Sequence, residues 1–268
     1  MLKAVVLFAV KCASWPALCL LMLPGIALCA KVDVETIIQK SVAANEADFN
    51  AAPQYSYRER DRTEQGSKTY SVLMIDGSPY QRLIAVNGKP LSKDDSAKEE
   101  QKLQQAKTER RNESKEKRQE RIAKFEKDRH RDHAMMQQLT KAFQFQLIGQ
   151  RKLRSFNVYV LRATPRPGYN PPNMETQVLP GMQGELWIDS ATYQWVKVTA
   201  RVIHPVSIEG FLAQVEPGTQ FELEKMPVGG NIWLAKHFAM KSQAKVLFMF
   251  NRASQEDDTF SDYRKAGK

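Results

Sequence analysis

Gly184-Glu185-Leu186-Trp187-Ile188-Asp189, followed after a short turn by Trp195-Val196-Lys197-Val198-Thr199-Ala200-Arg201-Val202, decides the fold. The second run alternates with a period of two. Val196, Val198, Ala200 and Val202 share one side, and Trp195, Lys197, Thr199 and Arg201 share the other. Such a hairpin belongs to an antiparallel sheet with one buried face. Towards the C-terminus, Phe221-Glu222-Leu223, Ile232 to Met240 and Val246 to Asn251 continue the meander, and Thr259-Phe260-Ser261-Asp262-Tyr263-Arg264 closes it. Towards the N-terminus, Asn157 to Ala163 alternates in the same way. Earlier still, Tyr55 to Arg58, Thr69 to Ile75 and Tyr80 to Val86 read as strands, with turns at Asp76-Gly77-Ser78-Pro79 and Asn87-Gly88. The count is about nine to eleven strands, a mainly β (α+β) chain whose large antiparallel sheet must curl.

Two helical regions interrupt this pattern. Val34, Ile37, Ile38, Val42 and Ala43 recur with helical spacing behind Asp33, a residue suited to cap the helix they form. Residues 92–138 form a charged insertion in which Leu103, Ile122 and Phe125 are the sizeable apolar side chains between Lys98 and His133. No continuous apolar stripe exists there for a core or a coiled coil. Pairs four apart, Glu113 with Lys117 and Glu120 with Lys124, can hold a solvated helix at roughly 0.3–0.5 kcal/mol each. A continuous helix over the 36 residues from Lys98 to His133 would reach on the order of 50 Å, which suggests a protruding arm or a hinged, partly disordered insertion. Met135, Met136, Leu139, Phe143 and Phe145 are placed to dock its end on the body.

Lys3 and Lys11, the apolar stretch from Cys12 to Leu23, the break at Pro24-Gly25 and the small residues Ala27 and Cys29 have the layout of a secretory signal. The expected domains are therefore residues 1–29, a cleaved signal peptide, and residues 30–268, a single domain. An uncleaved membrane anchor through residues 12–30 and lipidation at Cys29 are the alternatives. Cleavage removes Cys12, Cys19 and Cys29, all three cysteines of the chain, and leaves a domain held by packing alone. The formal charge of +10 becomes about +8 without Lys3 and Lys11. Export to the periplasm removes nucleic acid as a partner. It leaves an anionic lipid surface or an envelope membrane protein as polyanionic partners, and simple solubility explains the charge equally well.

Catalytic chemistry is absent from the motifs. The expected mature chain has no cysteine nucleophile, and there is no Gly-x-Ser-x-Gly elbow, no phosphate loop and no zinc-protease helix. His130 and His133 flank Asp132 at a spacing that can ligate a metal, but no third ligand is near in sequence, so they read as a solvated helical face. His204 and His237 read as packed or hydrogen-bonded residues. The expectation is a non-enzymatic protein without metal or cofactor. Trp187, Trp195, Phe211, Phe221, Trp233, Phe238 and Phe248 crowd the C-terminal half. They are core candidates first, and cavity candidates if the curled sheet stays open to an apolar guest. A chain of about 16 carbons costs on the order of 10 kcal/mol to leave in water, so a lipid carrier must offer such a recess.

Gly184 to Asp189 followed by Tyr193 to Ala200, then Pro227-Val228-Gly229-Gly230-Asn231-Ile232-Trp233-Leu234 and Phe260-Ser261-Asp262-Tyr263-Arg264-Lys265, resembles the outer-membrane lipoprotein-sorting proteins of the LolA/LolB-like group. The branch it resembles most is divergent, with a charged helical segment after an Asn-Gly-Lys-Pro-Leu turn, here Asn87 to Leu91. The resemblance covers most of residues 53–265. It implies a half-barrel around a packing helix, and as cargo the acyl chains of lipids or lipoproteins. The insertion is longer and more charged than the family's lid helices. The same fold also serves as a periplasmic sensor that binds a membrane partner, so an interaction or regulatory module that uses the charged helix is the second expectation.

Overall fold

The computed structural model describes residues 33–208, 213–246 and 250–266. The expected signal peptide, the alternative anchor and the candidates Phe211 and Phe248 lie outside the described residues. In chain order the elements are α1 (Val34–Ala51), β1 (Tyr55–Thr63), β2 (Gly66–Ile75), β3 (Ser78–Val86), β4 (Lys89–Pro90), α2 (Lys93–Asn112), α3 (Lys115–Ala142), β5 (Phe143–Leu153), β6 (Phe156–Pro165), β7 (Met182–Asp189), β8 (Trp195–Val202), β9 (Val206–Ile208), β10 (Ala213–Val215), β11 (Gln220–Gly229), β12 (Ile232–Val246) and β13 (Phe250–Lys265). Among the described residues no helix is long and apolar enough to cross a membrane.

These thirteen strands form one antiparallel sheet in the order β4-β3-β2-β1-β13-β12-β11-β8-β7-β6-β5, with β10 on β12 and β9 on β10. The count differs from the sequence reading because β4, β9 and β10 have only two or three residues, too few to carry a period of two, and because β5 reads in sequence only as the docking end of the insertion; Val246 instead ends β12, and Asn251 and Thr259 to Arg264 belong to the single strand β13. Edges β4 and β5 do not pair with each other, so the curled sheet is open. Its tight hairpins follow the sequence. Asp76 and Gly77 have φ of 47° and 88°, and Asn87 and Gly88 have 51° and 74°, the positive values that two-residue turns matched to strand twist require. Pro79 stands inside β3 rather than in the turn.

Asp33 caps α1 as expected, its carboxylate accepting from the Glu35 and Thr36 backbone N–H at 3.2 and 3.0 Å. The buried stripe is rotated from the expected one. It consists of Ile37, Ile38, Ser41, Asn45 and Asp48, while Val42 is 36% exposed. Three polar residues go inward because the sheet supplies their partners.

The face that carries α1 is called here the inner face. Cross-strand register places Leu161, Leu186, Val198 and Leu223 on it, and Arg162, Glu185, Thr199 and Glu222 on the outer face. One irregularity corrects the alternation read from sequence. Trp187 pairs with Lys197 but Ile188 pairs with Trp195, so a bulge at Val196 turns Trp195 away from Lys197 and onto the inner face. The short helical turns Met174–Thr176 and Leu179–Gly181 belong to the proline-rich segment before β7, and Thr176, Leu179 and Gly181 are buried.

The charged insertion is neither a straight arm nor a loose one. It breaks at Glu113-Ser114, where the Ser114 hydroxyl accepts from the Lys117 backbone N–H and starts a second helix. Glu113 therefore pairs with Arg121 across the break rather than with Lys117. Arg110 donates to the carbonyls of Ile75, Ser78 and Pro79 at 2.8–3.0 Å, and Arg121 donates to Asp76 O and Ser78 Oγ. Leu103, 4% exposed, supplies an apolar anchor. From Gly77 in the β2–β3 turn, against which Ile122 packs, α3 runs to Phe143 at the start of β5. It thus links strands from opposite ends of the sheet order.

Candidate functional site

At one end the inner face is filled by α1. The Trp195 indole N–H donates to Ser41 Oγ, and the Trp233 backbone N–H donates to Asp48 Oδ1 at 2.8 Å. Gln194 Nε2 donates to the same carboxylate oxygen at 3.1 Å and to Asn231 O at 2.8 Å. Lys225 pairs with Asp48 Oδ2 and donates to Asn45 Oδ1 at 2.8 Å. Burial pulls Lys225 below the ordinary lysine value, although Asp48 pushes the other way. Trp195 and Trp233 are both only 3% exposed. Across the outer side of this end, Phe156 meets Trp233 with ring centroids 4.8 Å apart, and Val158, Val160 and Val196 pack with them. Two of the seven aromatic candidates are thus structural.

Further along, the same face is left partly exposed. Phe221 and Leu223 on β11 stand opposite Met240 and Phe238 on β12, and all four are half-buried. β13 and β1 extend the strip with Phe260, Tyr57 and Tyr263. Tyr57 lies 6.0 Å from Phe260 and 5.4 Å from Tyr263, centroid to centroid. Burial pushes the Tyr57 phenol up to about 12, with help from Glu59. Of the candidates named from sequence, Phe221 and Phe238 come together here and Trp195 and Trp233 do not. The strip also holds what the aromatic census missed: Glu59 and Asp61 on β1, and Glu256 and Asp258 on β13.

A groove of about 870 Å³ lies on the other face. Arg162, Gln183, Glu185, Thr199, Arg201 and Glu222 line it together with His237 and Lys241, and Phe221, Met240 and Glu256 of the inner-face strip border it. A sheet that is both twisted and coiled is saddle-shaped, so each face can be concave along one diagonal. Many of the charges on this face are already answered by neighbours. Lys197 pairs with Glu222 at 2.7 Å, Arg154 and Lys236 both reach Glu224, and Arg201 is placed to donate to the Gln183 carbonyl. Trp187 sits on this face, half-buried, with the Arg151 guanidinium 5.6 Å from its ring and its indole N–H donating to Glu185 at 3.3 Å.

Of the two histidines of the insertion, His130 is exposed as expected and His133 is not. His133 is 8% exposed, hydrogen-bonds Glu46 at 2.9 Å and stacks on Phe49 at 4.1 Å, while His130 tilts against the same ring at 5.3 Å. Arg129 covers that ring at 4.2 Å, so the seam joins α3 to α1. Among the described residues no group of three or more His, Cys, Asp or Glu side chains is arranged to hold a metal ion. His237 lies 3.5 Å from Asp257.

Solved structures to which this chain is similar include a LolA superfamily protein from Nitrosomonas europaea, with 10% identity, coverage of 88% of this chain and 95% of that one, and a TM-score of 0.33. An outer membrane lipoprotein-sorting protein domain from Vibrio parahaemolyticus matches at 12% identity over 85% and 92% of the two chains, TM-score 0.30. The MucA/MucB complex of Pseudomonas aeruginosa matches at 11% identity over 85% and 99%, TM-score 0.24. No family model and no curated protein matches the sequence.

Proposed function

We propose that this is an exported, non-enzymatic binding protein that takes the acyl chain of a lipid or lipoprotein along the partly exposed strip of its inner face. The observation that carries the reading is the contrast within that face. One end is closed by α1, and the other leaves Phe221, Leu223, Phe238, Met240 and Phe260 half-buried with no element of the described chain burying them fully. A monomer loses stability by wetting apolar surface, at about 25 cal/mol per Å², so a strip of this kind is favoured by a guest that covers it. Export rests on the layout of residues 1–29, and the mass of the mature N-terminus tests it. Native mass spectrometry of the purified protein tests the binding. Copurified amphiphile in the wild type, lost on Phe221→Ala/Phe238→Ala, is expected; a chain that never retains or protects an amphiphile overturns the proposal.

A second reading takes α2 and α3 as a surface for an envelope protein. It is favoured by the arginine clamps at Arg110 and Arg121, which fix a long charged face instead of leaving it loose. Deleting residues 95–132 separates the two: a carrier keeps its ligand, whereas a partner-binding module loses its partner.

A further inference from the structure

We propose that the inner-face strip selects an amphiphile whose head is an ammonium group, held by the carboxylates of Glu59, Asp61, Glu256 and Asp258. The inference rests on the acyl-chain reading above and names the ligand class for the same strip.

Register sets the four carboxylates on one stretch of the inner face. Asp61 stands directly opposite Asp258, Glu59 opposite Phe260, and Glu256 opposite Met240, so all four share the inner face with the apolar strip. Among the described residues none of them forms an ion pair with Lys, Arg or His; Glu59 accepts from Gln81 Nε2 at 3.2 Å. Lys68, the cross-strand neighbour of Asp61, is exposed and makes no ion pair there. Asp258 is only 7% exposed, and its Oδ1 has no hydrogen-bond partner. A buried carboxylate oxygen left unanswered is costly, and a donor from outside the chain removes that cost. Burial first, then Glu256, Asp61 and Glu59, raise the Asp258 carboxyl to about 7, which agrees with a site short of positive charge. This occurs in a chain with a formal net charge of +10, where the overall field opposes gathering cations.

The chemistry narrows the cation. A hard metal ion would need several oxygens converging within about 2.6 Å, and no group of three such side chains converges among the described residues. An ammonium group needs only two or three acceptors at hydrogen-bond distance and is further favoured by aromatic faces, here Tyr57, Phe260 and Tyr263. Its alkyl body would then lie along Phe238, Leu223 and Phe221.

The test compares dodecylamine, dodecanoic acid, dodecyl maltoside and spermidine, each below any micelle-forming concentration, by calorimetric titration of the purified protein at pH 8. Dodecylamine is expected to bind at least about tenfold more tightly than dodecanoic acid, and Asp258→Asn/Glu256→Gln is expected to erase that preference while leaving dodecyl maltoside unchanged. Both substitutions are close in shape to the wild-type side chains, and circular dichroism checks that the fold is kept. Equal binding of the dodecyl probes, or a preference that survives the double substitution, overturns the ammonium site and leaves the acyl-chain reading standing. Spermidine binding as tightly as dodecylamine overturns the amphiphile in favour of a free polyamine. Silence from all four overturns both readings.

Discussion

The two ends of the inner face are built from the same alternating strands, yet one is a core and the other is a strip. Where α1 lies, every buried side-chain polar atom of the described interface but one has a partner: Ser41 takes the Trp195 indole, Asn45 and Asp48 take Lys225, and Gln194 Oε1 alone is left over. Where α1 is absent, Phe221, Phe238 and Phe260 stay partly exposed beside four carboxylates. Hydrophobic content does not separate the two ends. What separates them among the described residues is counter-charge: Lys225 pairs with Asp48 at one end, and no ion pair answers the carboxylates at the other.

Substitutions at the filled end should act on stability and those at the open end on binding. The largest effect is expected at the buried pair. Asp48→Ala leaves Lys225 buried and removes the acceptor of the Trp233 and Gln194 donors, and should cost about 3–5 kcal/mol in urea unfolding. Ser41→Ala orphans the Trp195 indole N–H and should cost about 1–3 kcal/mol by the same measurement.

Asp258→Asn should act in the opposite direction and depend on pH. The Asp258 carboxyl, opposed by Glu256, Asp61 and Glu59 with Lys68 as the cation on the neighbouring strand, is raised from 3.8 to about 7 by burial and by those carboxylates. Between these values the folded chain holds a proton that the unfolded chain has released, so stability falls as pH rises through that window. The asparagine variant should therefore unfold at a higher temperature than wild type at pH 8, by about 2–4 °C for each 1 kcal/mol relieved, and at the same temperature at pH 3. The smallest effect on global stability is expected from Arg121→Ala, about 1 kcal/mol or less. Hydrogen exchange should still speed up in α2 and the first turns of α3, because the clamp on the β2–β3 turn is gone.

Much of the sheet was legible because its turns are written in Asp76-Gly77 and Asn87-Gly88, and because alternation over Val198 to Val202 names a buried face. The bulge at Val196 was not legible, since the apolar alternation runs unbroken through it while the partner strand sets the register. That single residue decides whether Trp195 belongs to the core or to the outer face. On α1 the spacing of Ser41, Asn45 and Asp48 continues the stripe begun by Ile37 and Ile38, a signal present in the sequence but unreadable without their partners on β8 and β11. Ser114 carries the capping residue that breaks the insertion, and Arg110 and Arg121 dock it through backbone carbonyls, which no charge pattern announces. The carboxylate group escaped because its members come from β1 and β13, nearly two hundred residues apart and adjacent only in the sheet.

The most direct measurement is photocrosslinking with a diazirine-bearing fatty amine, followed by mass spectrometric mapping of the labelled residues. Labels concentrated on β11, β12 and β13 around Phe221, Phe238 and Phe260, and removed by unlabelled dodecylamine, are the predicted result. Labels confined to the outer groove around Arg162 and Arg201, or spread over the surface without competition, would contradict ligand binding on the inner face.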